Sequence, residues 1–165
     1  MAWEFIKTVK LDSNATSLEC DFTSEGTKDF LYVEMNCYST TYFEAQLQFD
    51  GVTTGGKYAT ARRNDFSTSG FTSQNMTKIN ASGDGDNAHF FIWINNQDGI
   101  SPKTMYSYSA NDDGQSGSAY PRLAESFTTF YQSDQIKIIK LVENAGVSGT
   151  FSSGTQINVF GINGS

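Results

Sequence analysis

The chain carries little charge, and very little of it is positive. Only 18% of the 165 residues are charged, and 18 acidic side chains outnumber 11 basic ones to give a net charge of −7. Proteins that bind the nucleic-acid backbone cluster Lys and Arg, because these displace the counterions. The one basic doublet in this sequence is Arg62-Arg63. We therefore expect no nucleic-acid partner.

Histidine and cysteine are also scarce, which narrows the enzyme and metal chemistry open to the chain. His89 is the single histidine; it precedes a strongly apolar run, a position typical of a structural residue rather than of a general base. Cys20 and Cys37 are the two cysteines, and they lack the Cys-x-x-Cys spacing that holds zinc. Both fall in predicted strands, which favours buried free thiols, with a bridge between them as the alternative. The sequence predicts no enzyme and no cofactor.

Long hydrophobic runs are missing as well. No apolar run approaches the roughly 20 residues that span a bilayer, so we expect no membrane partner. The opening residues alternate between polar and apolar, and they lack the basic and apolar regions of a secretory signal. We expect the chain to be made in a cytoplasm.

What the sequence does contain is Ser, Thr, Asn and Gly in quantity, with 14% aromatic residues. This composition is poor for helices and typical of β-proteins. Many segments alternate apolar and polar residues with the period of two that marks a strand. We predict a single domain over residues 1–165, an all-β, antiparallel, jelly-roll-like β-sandwich of about ten strands with little or no helix. The strands predicted before the closing segment are residues 3–11, 17–22, 30–38, 42–49, 57–62, 76–81, 89–94, 104–110, 127–131 and 135–142.

The first strand shows the alternation clearly, with one face predicted to be buried and the other largely solvated. One of its two faces carries Trp3, Phe5, Lys7, Val9 and Leu11. Because a turn and a second short strand follow, we expect this strand to form an opening hairpin with residues 17–22.

Three later segments carry specific predictions. Residues 64–74 have no apolar period and are expected to form a long surface loop. Residues 89–94 are almost continuously apolar, which predicts a central strand covered on both faces. Residues 146–162 are expected to form a closing hairpin around a Ser-Gly turn, so that the last strand docks into a sheet.

No metal site is predicted, and the turns richest in oxygen ligands are the nearest candidates for calcium. Calcium takes about six to eight oxygen ligands from carboxylates, amides and carbonyls. These turns carry Asp84, Asp86, Asp112 and Asp113. Neither turn has the spacing of the helical calcium loop, and Asp, Asn and Gly favour turns without any metal. Solvated turns are therefore the expectation.

Candidate contact residues come from two aromatic clusters and from the predicted loop. Residues 38–43 and 105–108 mix tyrosines with small polar residues, which suits a subunit contact or stacking against a carbohydrate; core packing is the alternative for at least half of these rings. Long loops on β-scaffolds are where partners tend to be contacted. The candidate interface residues are Tyr38, Tyr42, Arg62, Arg63, Phe66, Phe71, Tyr106 and Tyr108.

Four segments in sequence order resemble small β-sandwich virion proteins of tailed bacteriophages, notably those of cyanophages and other marine phages. They are WEFIKTV at 3–9, FLYV at 30–33, LQFD at 47–50 with Tyr58-Ala59, and the closing motif GTFxxGTxIxVFGI at 149–162. The closing motif is the most specific of the four. In that family the motif usually ends in Tyr-Gly-Ile, and Phe160 replaces the tyrosine here, which removes any role for a hydroxyl group at that position.

The resemblance implies a non-enzymatic structural protein of the virion, most simply a capsid decoration or cement protein on the capsid exterior. Its implied partners are the major capsid protein of the same phage and further copies of itself, as a dimer or trimer, after synthesis in the bacterial host cytoplasm. A jelly-roll module of a tail or head fibre that binds host-surface glycan is the alternative. A hydrolase on the same scaffold is a third possibility.

Overall fold

The computed structural model describes residues 2–39, 44–53, 56–64, 67–74, 77–80, 87–112, 121–143 and 149–164. Over these residues the chain forms twelve strands and one short 3-10 helix, Thr23–Glu25. The strands are β1 (Glu4–Lys10), β2 (Ser17–Asp21), β3 (Phe30–Tyr38), β4 (Glu44–Phe49), β5 (Tyr58–Asn64), β6 (Ser67–Gln74), β7 (Thr77–Asn80), β8 (Asn87–Asn95), β9 (Lys103–Asp112), β10 (Pro121–Phe130), β11 (Ile138–Glu143) and β12 (Gln156–Ile162).

Two antiparallel sheets face each other across one hydrophobic core, which confirms the predicted all-β sandwich. The large sheet has eight strands in the order β1-β12-β3-β8-β9-β10-β5-β6, and the small sheet has four in the order β2-β11-β4-β7. Strands that are distant in sequence therefore lie side by side: β1 pairs with β12, β2 with β11, β3 with β8 and β4 with β7. This nested pairing is the topology of a jelly roll.

Two hairpins widen the large sheet beyond the jelly roll. Strands β9 and β10 continue outward from β8, and the β5–β6 hairpin, which the chain forms between β4 and β7, adds to the far side of β10. The inner face of this extension is rich in hydroxyl groups that bond across strands, such as Thr60 with Thr128 at 3.0 Å and Ser107 with Ser126. The extension nearly doubles the width of the outer face of the large sheet.

The core is built by strict alternation along the strands. In β3 every second residue is buried, from Leu31 to Cys37, and Ile157 and Val159 do the same in β12. The small sheet contributes residues such as Leu47, Phe49, Ile139 and Leu141 from the opposite side. Since the side chains of a strand alternate between faces, the remaining residues of β3 and β12 must point outward, away from the core.

Buried polar groups tie the ends of the sheets together. The side chain of Asn96 is fully buried; its amide donates to the carbonyl oxygens of Lys28 and Ile136, and its oxygen accepts the N–H of Ile136. Lys103 is also fully buried, and its ammonium group donates to the carbonyl oxygens of Gln97 and Ser133. Burial lowers the pKa of Lys103. These bonds fix the β8–β9 connection against the segment that leads into β11.

Both cysteines are buried free thiols, as predicted. Cys20 lies in β2 and Cys37 near the end of β3. Burial raises the pKa of Cys20 to about 11, and it raises that of Cys37 further. Neither thiol is placed to react from the native state.

Several local predictions are wrong, each because sequence patterns do not report pairing partners. Strands β1 and β2 belong to different sheets, so no opening hairpin forms. Residues 67–74 form β6 rather than a loop, since an edge strand needs only backbone hydrogen bonds to its neighbour β5. In the closing segment β12 is present, but Phe151 bridges Ala15 and Ser39 instead of pairing with β12. Residues 146–148 lie outside the described ranges.

Strand β8 is central in the large sheet but is not covered on both faces. Phe90, Ile92 and Ile94 are buried, whereas His89 and Trp93 are exposed on the outer face. The continuous apolar run therefore combines a core face with an apolar surface face. Within the described residues, no helix is long and apolar enough to cross a membrane.

Candidate contact surface on the large sheet

The outer face of the large sheet carries a line of aromatic side chains in register across six neighbouring strands. Strand pairing places each of these residues directly opposite the next. From β1 to β10 the line runs Phe5, Phe160, Tyr32, Trp93, Tyr106 and Phe127, and we refer to these six residues as the aromatic row. The row ends at β5, where the residue opposite Phe127 is Ala61.

A β-bulge in β1 brings the first ring into the row. The pairing with β12 shifts between Phe5 and Lys7, so that Ile6 is the extra residue. A bulge inserts one residue and reverses which face the following side chains take. Phe5 consequently faces outward beside Phe160, whereas Val9 packs against the core. The predicted single face that ran from Trp3 to Leu11 is therefore divided between the two sides of the sheet.

The rings of the aromatic row from Phe5 to Tyr106 contact their neighbours. Ring centroids are 5.8 Å apart for Phe5 and Phe160, 5.9 Å for Phe160 and Tyr32, 5.3 Å for Tyr32 and Trp93, and 5.8 Å for Trp93 and Tyr106. The planes of the last three pairs differ by only 32° or 33°. Phe5 meets Phe160 nearly edge-on, with an angle of 71° between the ring planes, and the other three pairs are tilted side by side. Such pairs contribute about 0.5–1.5 kcal/mol each to stability beyond the burial of their area.

Mutual packing leaves much of the row open to solvent. The exposed fractions are 62% for Phe5, 42% for Trp93, 43% for Tyr106 and 49% for Phe127. Trp3, also half exposed, packs against Tyr32 and extends the same surface. Large apolar side chains that remain exposed together on one face mark an interaction surface far more often than scattered ones do.

A shallow cavity of about 430 Å³ opens along one side of the row. Its floor and walls are largely apolar, with Asn95 and Thr104 as the polar exceptions. The lining residues are Trp3, Phe30, Leu31, Trp93, Ile94, Asn95, Thr104, Met105, Tyr106, Phe127 and Ile162. The cavity is a recess in which a bulky side chain of a partner would be buried.

Two carboxylates flank the other side of the row and hold its tyrosines. The hydroxyl of Tyr32 donates to Glu34 at 3.0 Å, and that of Tyr106 donates to Glu125 at 3.3 Å. Burial, together with the hydrogen bond to Glu34, raises the pKa of Tyr32 to about 12. Partial burial, together with the charge of Glu125, also raises the pKa of Tyr106. Both phenols are therefore neutral hydrogen-bond donors at physiological pH.

Only part of the candidate interface predicted from the sequence lies on this surface. Tyr106 belongs to the row, and Tyr108 lies on the same face beside Phe91 and Glu125. Tyr38 is at the end of β3, where its ring packs beside Gly154. Arg62 and Arg63 are in β5 and Phe71 is in β6, with side chains outside the described set. Tyr42 and Phe66 lie outside the described residues.

The calcium candidates are placed only in part. Asp112 ends β9, and its side chain is outside the described set; Asp84, Asp86 and Asp113 lie outside the described residues. Among the side chains that the structure describes, no three His, Cys, Asp or Glu residues come close enough to hold a metal ion. His89 is exposed, and its Nδ1 is 2.6 Å from the side-chain oxygen of Asn36.

Five members of the row are not predicted from the sequence: Phe5, Tyr32, Trp93, Phe127 and Phe160. Alternation identifies a strand without showing which of its faces is buried, and the apolar run at 89–94 predicts burial of both faces. A signal was nevertheless present in β3, where Tyr32 alternates with the purely aliphatic Leu31 and Val33. The amphipathic aromatic residue of such a strand is the better candidate for the exposed face.

Comparisons of this chain with protein-family models, with curated proteins and with solved structures find no match.

Proposed function

We propose that this protein is a non-enzymatic structural protein of a tailed bacteriophage particle, most simply a capsid decoration protein on the capsid exterior. The observation that carries the proposal is the aromatic row. It offers a wide, rigid, charge-free strip, and it is built on strands rather than on a mobile loop. The working part of the protein is then a surface that contacts a protein neighbour in the particle.

The composition of the row matches that of a protein interface. Interface centres are enriched in aromatic residues and depleted in charge, with a polar rim around them. Here the row supplies the centre, and Glu34 and Glu125 lie at its rim. Truncating a central aromatic residue of an interface often costs at least about 2 kcal/mol, which corresponds to roughly 30-fold in affinity. A few rings therefore suffice for firm attachment.

Two further observations support a place in a particle. The closing motif that resembles phage virion proteins forms β12, which occupies the second position of the large sheet and carries Phe160 of the row. Jelly rolls are also a recurrent architecture of capsid proteins. The partners in this proposal are the major capsid protein of the same phage and other copies of the chain, with synthesis in the host cytoplasm.

The test is to add the purified protein back to phage particles that lack it. Wild-type protein should bind the particles and restore their resistance to heat or chelation. A Trp93→Ser/Phe127→Ser variant should bind at least about 30-fold more weakly, since it removes two rings of the row. Tyr131→Ser is the matched control, because Tyr131 is 48% exposed but lies after β10, outside the row. Failure of the wild-type protein to bind or protect particles would contradict the proposal.

A glycan-binding module of a phage fibre is the second candidate, and one observation favours it. Tyr32, Trp93 and Tyr106 form a continuous aromatic platform, with neighbouring planes tilted by 32° and two carboxylates alongside. Sugar rings stack on such platforms, with carboxylates accepting bonds from their hydroxyl groups. A glycan array with binders that depend on Trp93, together with no rebinding to particles, would favour this candidate.

A further inference from the structure

We infer that the protein neighbour at the aromatic row is a second copy of the same chain, so that two large sheets pack face to face about a two-fold axis. This inference rests on the proposed function in one respect, namely that the row is a protein contact surface. It adds the identity of the occupant and the symmetry of the contact.

The exposed area of the row fits the requirement of a stable dimer. Large apolar side chains have areas of about 150–250 Å² each, and Trp3, Phe5, Trp93, Tyr106 and Phe127 are each about half exposed. Together these five expose on the order of 500 Å², to which the polar flanks of the sheet add. A standard interface buries about 800 Å² on each partner. The aromatic surface alone therefore supplies well over half of one side of such an interface.

The row is complementary to itself. Both ends of the line carry phenylalanine and every position between them carries an aromatic ring, so a second row matches the first in width and chemistry. A contact between identical patches related by a two-fold axis is the commonest form of oligomer. Homodimer interfaces are also more apolar than contacts between different proteins. A partner of another kind would need an equally wide strip without charge.

The carboxylates beside the row do not oppose this arrangement when the two rows run in opposite directions. The neighbouring register row carries Thr8, Asn158, Glu34, Phe91, Tyr108 and Glu125, on β1 to β10 in the same strand order. A two-fold axis between β3 and β8, parallel to the strands, places Glu34 opposite Phe91 of the second copy and Glu125 opposite Thr8. In these two register rows no carboxylate then lies directly opposite another carboxylate.

The experiment is to measure the mass of the purified chain in solution by sedimentation equilibrium. The wild type should have twice the 18.1 kDa mass of one chain. Trp93→Asp, which places a charge in the row, should reduce the mass to that of one chain, while Tyr131→Asp should leave the dimer intact. Circular dichroism verifies that each variant is folded. A monomeric wild type, a trimer, or a Trp93→Asp variant that stays dimeric would overturn the inference.

Fluorescence provides a second readout that does not depend on any substitution. Trp3 and Trp93 are the two tryptophans of the chain, and both lie on this surface. Dilution below the dissociation constant should therefore move the emission to longer wavelength, because both indoles gain water. An emission maximum that stays constant while the mass falls from dimer to monomer would place the dimer contact elsewhere and overturn the inference.

A cysteine cross-link tests the position of the axis. Because Cys20 and Cys37 are buried, a single new thiol at the surface reacts without competition. Trp93→Cys lies beside the axis, and a bis-maleimide that spans about 10 Å, the separation of packed sheets, should join two copies through this thiol. Glu19→Cys on the exposed face of β2 should not be joined in this way. Absence of the cross-link at Trp93, in a variant that is still dimeric, would overturn the arrangement.

The results separate this inference from the proposed function. A wild type that is monomeric but binds particles through the row overturns the dimer and supports the proposed function. A dimer held by the row that neither binds nor protects particles supports the inference and contradicts the decoration role.

Discussion

Replacing Asn96 by alanine should destabilise the protein by about 3 kcal/mol, although its buried side chain takes no part in the aromatic row. Its side chain makes three hydrogen bonds, at 3.0 Å to the carbonyl of Lys28, at 3.2 Å to the carbonyl of Ile136 and at 2.6 Å from the N–H of Ile136. Both Asn96 and Ile136 are fully buried. A hydrogen bond contributes about 1 ± 0.5 kcal/mol net, and a buried group left without a partner costs about 1–3 kcal/mol. The three bonds therefore give the stated loss.

The assay is urea denaturation at one fixed protein concentration, since the inferred dimer would make the apparent stability depend on concentration. In a thermal unfolding experiment on this chain of 165 residues, the same loss of about 3 kcal/mol would lower Tm by roughly 6–12 °C. Asn96→Asp keeps the acceptor for the N–H of Ile136 but turns a carboxylate oxygen toward two carbonyl oxygens. It should be at least as destabilising as the alanine variant.

The exposed Asn163 supplies the control, and Asn163→Ala should change stability by less than about 0.5 kcal/mol. An Asn96→Ala variant that loses less than about 1 kcal/mol would refute the reasoning. It would mean that water replaces the amide, or that the segment before β11 adapts without it.

Three further predictions concern single residues elsewhere in the fold. Asp50 has a φ of 49°, and its carboxylate accepts hydrogen bonds from the backbone N–H groups of Lys137 and Ile138, where β11 begins. Asp50→Ala should therefore cost about 2–4 kcal/mol in urea denaturation and Asp50→Asn clearly less, while equal losses would argue against the hydrogen bonds as the cause. Gly161→Ala places a methyl group against the side chains of Lys28 and Ile6, which should cost about 1–3 kcal/mol in the same assay. An unchanged denaturation midpoint would show that these two side chains move aside without cost. Cys20 and Cys37 should react with a thiol reagent only after unfolding, because both are buried and their pKa values are raised, and fast labelling of the native protein would contradict this.

The sequence predicts the fold well where one face of a strand is aliphatic. Leu31 and Val33 in β3, and Ile157 and Val159 in β12, alternate with polar or aromatic residues and mark the core face without ambiguity. In β6 this signal is missing. That strand is rich in Ser and Thr and lies at the edge of the large sheet, where pairing with β5 requires no apolar side chain. Edge strands of this kind are not recognisable by periodicity.

The candidate site was predictable only in fragments, because it depends on register between distant strands. Tyr106 and Tyr108 stand out locally as a Tyr-x-Tyr pair, and both lie on the outer face of the large sheet. No local sequence pattern, however, shows that Phe5 and Phe160 become neighbours, or that the extra residue Ile6 turns Phe5 outward. Pairing and bulges are decided by the assembled sheet, and a single sequence does not display them.

The position of β12 determines when the large sheet can be completed during synthesis of the chain. Strand β12 lies between β1 and β3, and it joins residues as distant as Thr8 and Asn158, 150 positions apart in the chain. During translation β1 has no partner in the large sheet until residues 156–162 emerge from the ribosome, and until then Phe5 is separated from Tyr32. A nascent or incompletely folded chain cannot display the continuous row. Under the proposed function, attachment through the aromatic row would therefore require β12 to be in place between β1 and β3.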